Sequence, residues 1–217
     1  MDILGKICII MFMDFNLFRR EIDIEVFDYQ LLNKYLVGLK KPRDKVSSLI
    51  AEGKIVRLKK GLYVFGENWR KTPLSLEVVA NLLYGPSCLS FEYALTHYGL
   101  IAERSLVITS LVIGDTKTFY TPVGTFEYRA IDREKFKIGI EYKNMGKNGG
   151  YFIASQEKAL VDLVYRTPGI RSLTQLRHYL FEEMRVDETM FRNCDQQQFN
   201  DLAKAYKKNS VNMVGKL

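Results

Sequence analysis

The sequence predicts an α+β protein in which an N-terminal winged helix-turn-helix precedes a larger mixed α/β domain with a central sheet and C-terminal helices. Between residues 27 and 72, two helical patterns lead directly into a hairpin pattern. Strand patterns then gather between residues 107 and 154, and helical patterns fill the chain beyond residue 155. Strands that are grouped first, with helices grouped after them, are typical of an α+β domain.

Composition sets the broad class. The 217 residues are 47% apolar and 12% aromatic, which is enough for a packed core. A net charge of +7 favours an anionic partner such as nucleic acid or a membrane surface. The three cysteines are widely spaced and the two histidines have no second ligand at metal spacing, so we expect a cytoplasmic protein with no disulfide framework, metal or cofactor.

The domain boundaries follow from the patterns. We assign residues 27–72 to the winged helix-turn-helix domain and 73–217 to the α+β domain, with the boundary at the polar link that contains Pro73. Residues 1–26 form an unassigned extension. Its apolar run at residues 7–13 is too short to span a bilayer, and we interpret it as a buried strand or as sequence upstream of the fold, with Met13 as an alternative start.

Positive charge is concentrated in one segment. Residues 33–71 contain eleven Lys or Arg and three Asp or Glu, which gives this segment a net charge of +8 when the whole chain has +7. Such a confined basic surface is typical of a nucleic-acid footprint. The alternative is a solvated, lysine-rich face.

Two helices are expected in this segment. Asp28 can cap a helix over residues 30–36, and Pro42 suits the first position of a second helix because its missing N–H would have had no partner there. Gly53 is placed for a left-handed C-cap. The buried stripe of the second helix consists of Val46, Leu49 and Ile50. Its opposite face carries Lys41, Arg43, Lys45, Ser47 and Ser48.

A basic hairpin follows the second helix. A two-residue turn at residues 60–61 would place Leu58 opposite Tyr63. The face expected to cover the helices carries Val56, Leu58, Tyr63 and Phe65. The other face carries Arg57 and Lys59, and Lys60 lies at the tip. Two helices and a basic hairpin predict a winged helix that reads the major groove with its second helix and contacts phosphates with its wing; a helix–hairpin unit docked on the next domain is the competing interpretation.

Candidate catalytic patterns are weak. Ser155 and Lys158 match the spacing of a nucleophile motif, but Ser155 is expected to cap a helix and Lys158 to pair with Asp162 one turn later. We therefore expect no enzymatic activity.

A nuclease site is the alternative function. Glu141 and Lys143 at a strand end, with Asp115 or Asp132 upstream, have the outline of a site in which carboxylates hold Mg²⁺ and the lysine orients water. The winged helix would then deliver a metal-dependent nuclease to DNA.

Four motifs in order carry a family resemblance. They are "GKIVRLKKGLYVF", "LSFEYALTHYGL", "TFYTPVGTFEYRAI" and "IASQEKALVDLVY", and the match runs from about residue 27 to 166. In this combination the chain resembles the AbiE-type (AbiEi) abortive-infection antitoxin and transcriptional regulator family of type IV toxin–antitoxin systems.

The resemblance implies a function without catalysis. It implies a winged helix that binds repeats in its own promoter and represses the operon, together with a C-terminal antitoxin domain. The genetic partner would be a nucleotidyltransferase-like toxin, countered without a stable protein–protein complex, and no membrane would be involved.

Three hypotheses remain at this stage. The first is a repressor and antitoxin that binds double-stranded DNA, the second is the metal-dependent nuclease, and the third is an interaction module whose basic face meets an acidic protein. The residues expected to contact DNA are Lys41, Arg43, Lys45, Ser47, Ser48, Arg57, Lys59 and Lys60.

Overall fold

The computed structural model describes residues 14–103 and 105–217. The chain divides into two compact units, with the boundary in the sequence between Leu74 and Ser75. The small antiparallel sheet of the first unit, the mixed sheet of the second and the helices that follow confirm the α+β class. The apolar run at residues 7–13 and the alternative start at Met13 lie outside the described residues.

The first unit has the element order of a winged helix-turn-helix. Its elements are α1 (Phe15–Glu21), β1 (Val26–Asp28), α2 (Tyr29–Lys34), α3 (Pro42–Ala51), β2 (Ile55–Lys59) and β3 (Leu62–Phe65). The strands form an antiparallel sheet in the order β1-β3-β2. Residues 15–26, which the sequence left unassigned, thus supply the first helix and the start of the first strand.

Aromatic side chains form the core of this unit. Phe18 and Phe27 pack edge to face with ring centroids 5.2 Å apart, and Phe27 lies 4.6 Å from Phe65. Leu32 of α2 and Leu49 of α3 are fully buried in the same cluster. Because burying each such side chain stabilises the fold by about 1.5–3 kcal/mol, helix α1 is an integral part of the unit.

A buried ion pair joins the beginning of the unit to its end. The Arg19 guanidinium lies 2.7 Å from the Glu25 carboxylate and also donates to the Trp69 carbonyl. The same Glu25 oxygen accepts hydrogen bonds from the backbone N–H groups of Lys71 and Thr72. Helix α1, the residue before β1 and the segment after β3 are therefore held at one point.

The second unit is built on a mixed six-stranded sheet. Its strands are β4 (Ser87–Leu89), β5 (Val107–Val112), β6 (Lys117–Thr121), β7 (Gly124–Ala130), β8 (Ile140–Asn144) and β9 (Gly150–Ala154). They are ordered β6-β7-β5-β4-β9-β8, so β6 and β8 are the edges. The pairs β5–β7 and β4–β9 are parallel and the others are antiparallel.

The helices of this unit mostly follow the sheet in sequence. They are α4 (Leu76–Leu83), α5 (Phe91–Tyr98), α6 (Arg133–Phe136), α7 (Gln156–Arg166), α8 (Leu173–Arg177), α9 (Glu188–Arg192), α10 (Gln196–Tyr206) and α11 (Asn209–Asn212). A π-helical turn, His178–Glu183, continues α8. Helix α7 is buried along almost its whole length.

One strand begins later in the chain than its sequence pattern predicts. The alternation at residues 136–142 predicts a strand, but the chain forms the short helix α6 up to Phe136 and enters β8 only at Ile140. Gly139 has a φ of +70°, and a Cβ atom there would lie 2.9 Å from Lys158 Cβ. The left-handed turn at this glycine delays the strand, which is a tertiary constraint that alternation does not reveal.

A buried polar network crosses the second unit. Lys158 Nζ donates to Tyr206 Oη at 2.7 Å and to the Lys135 carbonyl at 2.9 Å, and it pairs with Asp162 at 3.4 Å, which confirms the predicted ion pair. Ser90 Oγ donates to the other Asp162 oxygen at 2.7 Å, and although Ser90 immediately precedes α5 its side chain makes no capping hydrogen bond to that helix. Burial raises the pKa of Asp162, and its charged and hydrogen-bonding neighbours oppose that rise.

Removing one member of this network should be costly. We expect Lys158→Met to lower the free energy of unfolding by about 3–5 kcal/mol, because Asp162 is left as a buried, uncompensated charge. Urea unfolding followed by circular dichroism measures the change. The double variant Lys158→Met with Asp162→Leu should lose less than the single variant. A single variant as stable as the parent would contradict this account of the network.

Candidate nucleic-acid interface

Helix α3 presents a polar face. Val46 and Leu49 are buried against the core, whereas Arg43, Asp44 and Ser47 are exposed on the opposite side. Pro42 occupies the first turn, and Gly53 follows the helix with a φ of +66°, as the sequence predicted. The helix thus displays one cation, one anion and one hydroxyl in its first two turns.

The remaining predicted residues of α3 differ in exposure. Lys41 is exposed just before the helix, whereas Lys45 and Ser48 are half-buried at its flanks. Ser47 Oγ donates to the Arg43 carbonyl at 3.1 Å, which leaves its lone pairs open to a further donor. Of the five α3 candidates, Lys41, Arg43 and Ser47 are the most accessible.

Ser48 is hydrogen-bonded to a carboxylate within the same chain. Its hydroxyl donates to Glu52, and Lys54 lies 2.7 Å from the same carboxylate. Hydrogen bonds from Lys54 and then from Ser48 lower the pKa of Glu52, so this side chain stays ionised. The end of α3 therefore carries a negative charge, and Ser48 is occupied by an intramolecular partner.

Asp44 is an acidic residue on the exposed face that the sequence analysis did not include in the site. It lies 3.9 Å from Lys41 with both side chains largely exposed, so the pair contributes little to stability. A carboxylate at this place repels phosphates and can accept a hydrogen bond from the amino group of cytosine. Its position one residue after Arg43 is the signal that could have identified it.

The wing departs from the predicted register. Arg57 lies opposite Tyr63 and Lys59 opposite Leu62, and a bulge between them leaves Leu58 unpaired. The predicted pairing of Leu58 with Tyr63 is therefore wrong. One additional residue in β2 shifts the pairing upstream of the turn, and turn length alone does not indicate such a bulge.

The bulge changes which way Arg57 points. Residues directly opposite each other share a face, so Arg57 lies on the face of Tyr63, which packs towards the helices. The expectation that Arg57 points away from them is wrong, and Ile55 replaces Val56 in the core cluster. Arg57 is exposed on this side of the sheet, the side on which α3 packs.

The wing is short, and a backbone hydrogen bond holds its turn against the start of α2. The Gly61 carbonyl accepts a hydrogen bond from the Tyr29 N–H at 2.8 Å, which ties the turn to the start of α2. Lys60 is exposed in this turn and Lys59 is half-buried. The cations of the wing are consequently held near the helices.

Other cations of the basic segment stabilise the fold. Lys54 pairs with Glu52, Arg70 Nε donates to the Phe65 carbonyl at 3.0 Å, and Lys71 Nζ pairs with Asp23 at 3.0 Å. Lys34 on α2 and Lys40 before α3 are exposed, although the sequence analysis left both out of the site. The net charge of the segment therefore overstates the cationic surface that α3 and the wing offer.

Two carboxylates of the predicted nuclease site, those of Glu141 and Asp132, pair with lysines. Glu141 on β8 pairs with Lys143 and accepts a hydrogen bond from Tyr98 at 3.3 Å. Asp132 pairs with Lys135, and Asp115 lies in the β5–β6 connection. Within residues 14–103 and 105–217, no three His, Cys, Asp or Glu side chains converge on a position where they could hold a metal ion.

Comparison with known proteins shows a similarity of fold and no similarity to a sequence family. No family model and no curated protein matches the chain. Among solved structures, it is similar to the RV2827C protein from Mycobacterium tuberculosis, with a TM-score of 0.53 and 14% identity over 92% of this chain and 75% of the other. In the part of the chain that the structure describes, no helix is both long enough and apolar enough to cross a bilayer.

The turn of the wing yields a prediction. Gly61 has a φ of +86°, and a Cβ atom there would meet nothing within 4 Å, so conformational strain alone determines the effect of a substitution. Gly61→Ala should lower the free energy of unfolding by about 1–2 kcal/mol, and Gly61→Asn by less, because asparagine enters the left-handed region more readily. Urea unfolding of both variants provides the comparison, and equal losses for alanine and asparagine would refute this explanation.

Proposed function

We propose that this protein is a DNA-binding transcriptional repressor that regulates its own operon and serves as the antitoxin of a toxin–antitoxin, abortive-infection system in the cytoplasm. The observation that carries the proposal is the placement of Arg43, Arg57 and Lys60. All three are exposed: Arg43 lies on α3, Arg57 on the first strand of the wing and Lys60 in its turn. These two elements contact the major groove and the phosphates when such a unit binds DNA.

The antitoxin role rests on the four sequence motifs. Several residues of these motifs stabilise the fold. Ser90, Lys158 and Asp162 belong to the buried network, and Ser155 caps α7. The proposed genetic partner is a nucleotidyltransferase-like toxin that is countered without a stable complex. The protein itself is proposed to act on promoter repeats without catalysis and without a membrane.

Two kinds of contact should separate in binding experiments. Arg57→Ala with Lys60→Ala should weaken binding to all duplexes alike and reduce the slope of log K against log salt by about 1.8, since each phosphate contact contributes about 0.9. Arg43→Ala should instead reduce discrimination between the upstream repeat and a scrambled duplex, by about 1–3 kcal/mol. Fluorescence anisotropy at several salt concentrations measures both effects.

A matched control uses two exposed arginines of the second unit. Arg177 and Arg192 both pair with Glu188, and replacing both by alanine removes the same amount of charge as the wing variant. This control should keep the parent's salt slope. If the wing variant also keeps it, or if the parent does not bind duplex DNA at physiological salt, the proposed function fails.

A further inference from the structure

Strand β8 is an edge of the six-stranded sheet, with β9 on one side and no strand on the other among the described residues. Two backbone hydrogen bonds flank its pairing with β9. The Ser155 N–H donates to the Gly139 carbonyl at 2.8 Å, and the Met145 N–H donates to the Gly149 carbonyl at 2.7 Å. Both belong to the same register as the β8–β9 ladder.

This register fixes which backbone groups face outward. Hydrogen-bonded and non-hydrogen-bonded pairs alternate along an antiparallel ladder, so residues 141 and 143 bond towards β9. The N–H and C=O groups of Ile140, Tyr142 and Asn144 point to the open side of the sheet. These three residues can accept a further antiparallel strand.

The side chains of β8 are complementary to a second copy of the same strand. When Tyr142 lies opposite Tyr142 of a second copy, Glu141 lies opposite Lys143 of that copy, and Lys143 opposite its Glu141. The outward backbone groups then meet in hydrogen-bonded pairs, and the two ion pairs fall at the closer, non-hydrogen-bonded positions.

The same charges disfavour the neighbouring registers. Centring the pairing on Glu141 would place two glutamates opposite each other, and centring it on Lys143 would place two lysines opposite each other. Like charges at directly opposed positions are destabilising. Among the pairings centred on residues 141, 142 and 143, only the one centred on Tyr142 therefore places opposite charges face to face.

Exposed aromatic residues adjoin this edge. Tyr142 is 56% exposed and lies opposite Phe152 of β9, which is 47% exposed, with ring centroids 5.2 Å apart. A Cβ atom at Gly150 would overlap the Tyr142 ring, so this glycine lets the ring lie over β9 and leaves the backbone edge uncovered. Two such aromatic pairs would become neighbours across the two-fold axis.

The other edge also carries an exposed aromatic residue, Tyr120, but it lacks the pair of opposite charges. Strand β6 carries Lys117 as its only charged residue, and pairing with itself would produce no opposite charges. Edges that are protected from association commonly use proline, a bulge or charges of one sign. Strand β8 contains no proline, pairs with β9 without a register shift, and carries one charge of each sign.

We propose that β8 is a self-association surface through which two copies of this chain pair antiparallel about Tyr142 and join their sheets into one. The partner is a second copy, because one strand supplies both members of each ion pair. This inference is independent of the proposed DNA-binding function.

Charge reversal tests the proposal. Sedimentation of the full chain over a concentration series should show the parent approaching twice the mass of one chain. Glu141→Lys and Lys143→Glu should each raise the dissociation constant of the dimer at least about tenfold, because each places like charges opposite one another. An equimolar mixture of the two variants should form a heterodimer, since all its opposed charges are then of opposite sign.

A matched reversal on the other edge, Lys117→Glu, should leave the parent's dimer unchanged, and circular dichroism shows whether each variant is folded. The proposal is overturned if the parent remains monomeric at the highest concentration. It is equally overturned if the single reversals keep the parent's dissociation constant, or if the mixture of the two variants associates no better than either alone.

Discussion

The buried pairing of Arg19 with Glu25 is the interaction on which the winged-helix unit depends. The guanidinium also lies 4.0 Å above the Phe65 ring, and the carboxylate accepts hydrogen bonds from the backbone just after the wing. A buried charge without its partner costs several kcal/mol, so the two residues constrain each other. Since one belongs to α1 and the other precedes β1, this pair fixes the small sheet against the helices, and thereby the place where α3 and the wing meet.

The basic residues of this unit fall into two groups, those that form ion pairs within the unit and those that remain exposed. Some cations form salt bridges that stabilise the unit. Lys71 pairs with Asp23 near the buried ion pair, and Lys54 pairs with Glu52 at the end of α3. Others remain exposed, such as Arg43 on α3 and Lys60 in the turn of the wing. The surface available to an anionic partner is therefore smaller and better defined than the charge of the segment suggests, and it includes an acidic residue, Asp44.

Much of the fold could be predicted because local signals were strong. Pro42 and Gly53 bounded α3, and the spacing of Lys158 and Asp162 within one helix predicted their contact. The failures involve tertiary effects: the bulge that turned Arg57 towards the helices, and the turn at Gly139 that delayed β8. In the candidate site, the residue types and their exposure were largely predictable. The hydrogen bond from Ser48 to Glu52 was not, because it depends on side-chain geometry that sequence spacing does not reveal.

We propose that α3 and the adjoining wing together form the surface that binds duplex DNA. Hydrogen–deuterium exchange of the full chain, with and without a duplex from the region upstream of its gene, locates the binding surface. We expect slower exchange on binding in residues 41–52 and 57–61, with little change along the buried helix α7. Unchanged exchange in those two segments, with protection confined to the second unit, would contradict this proposal.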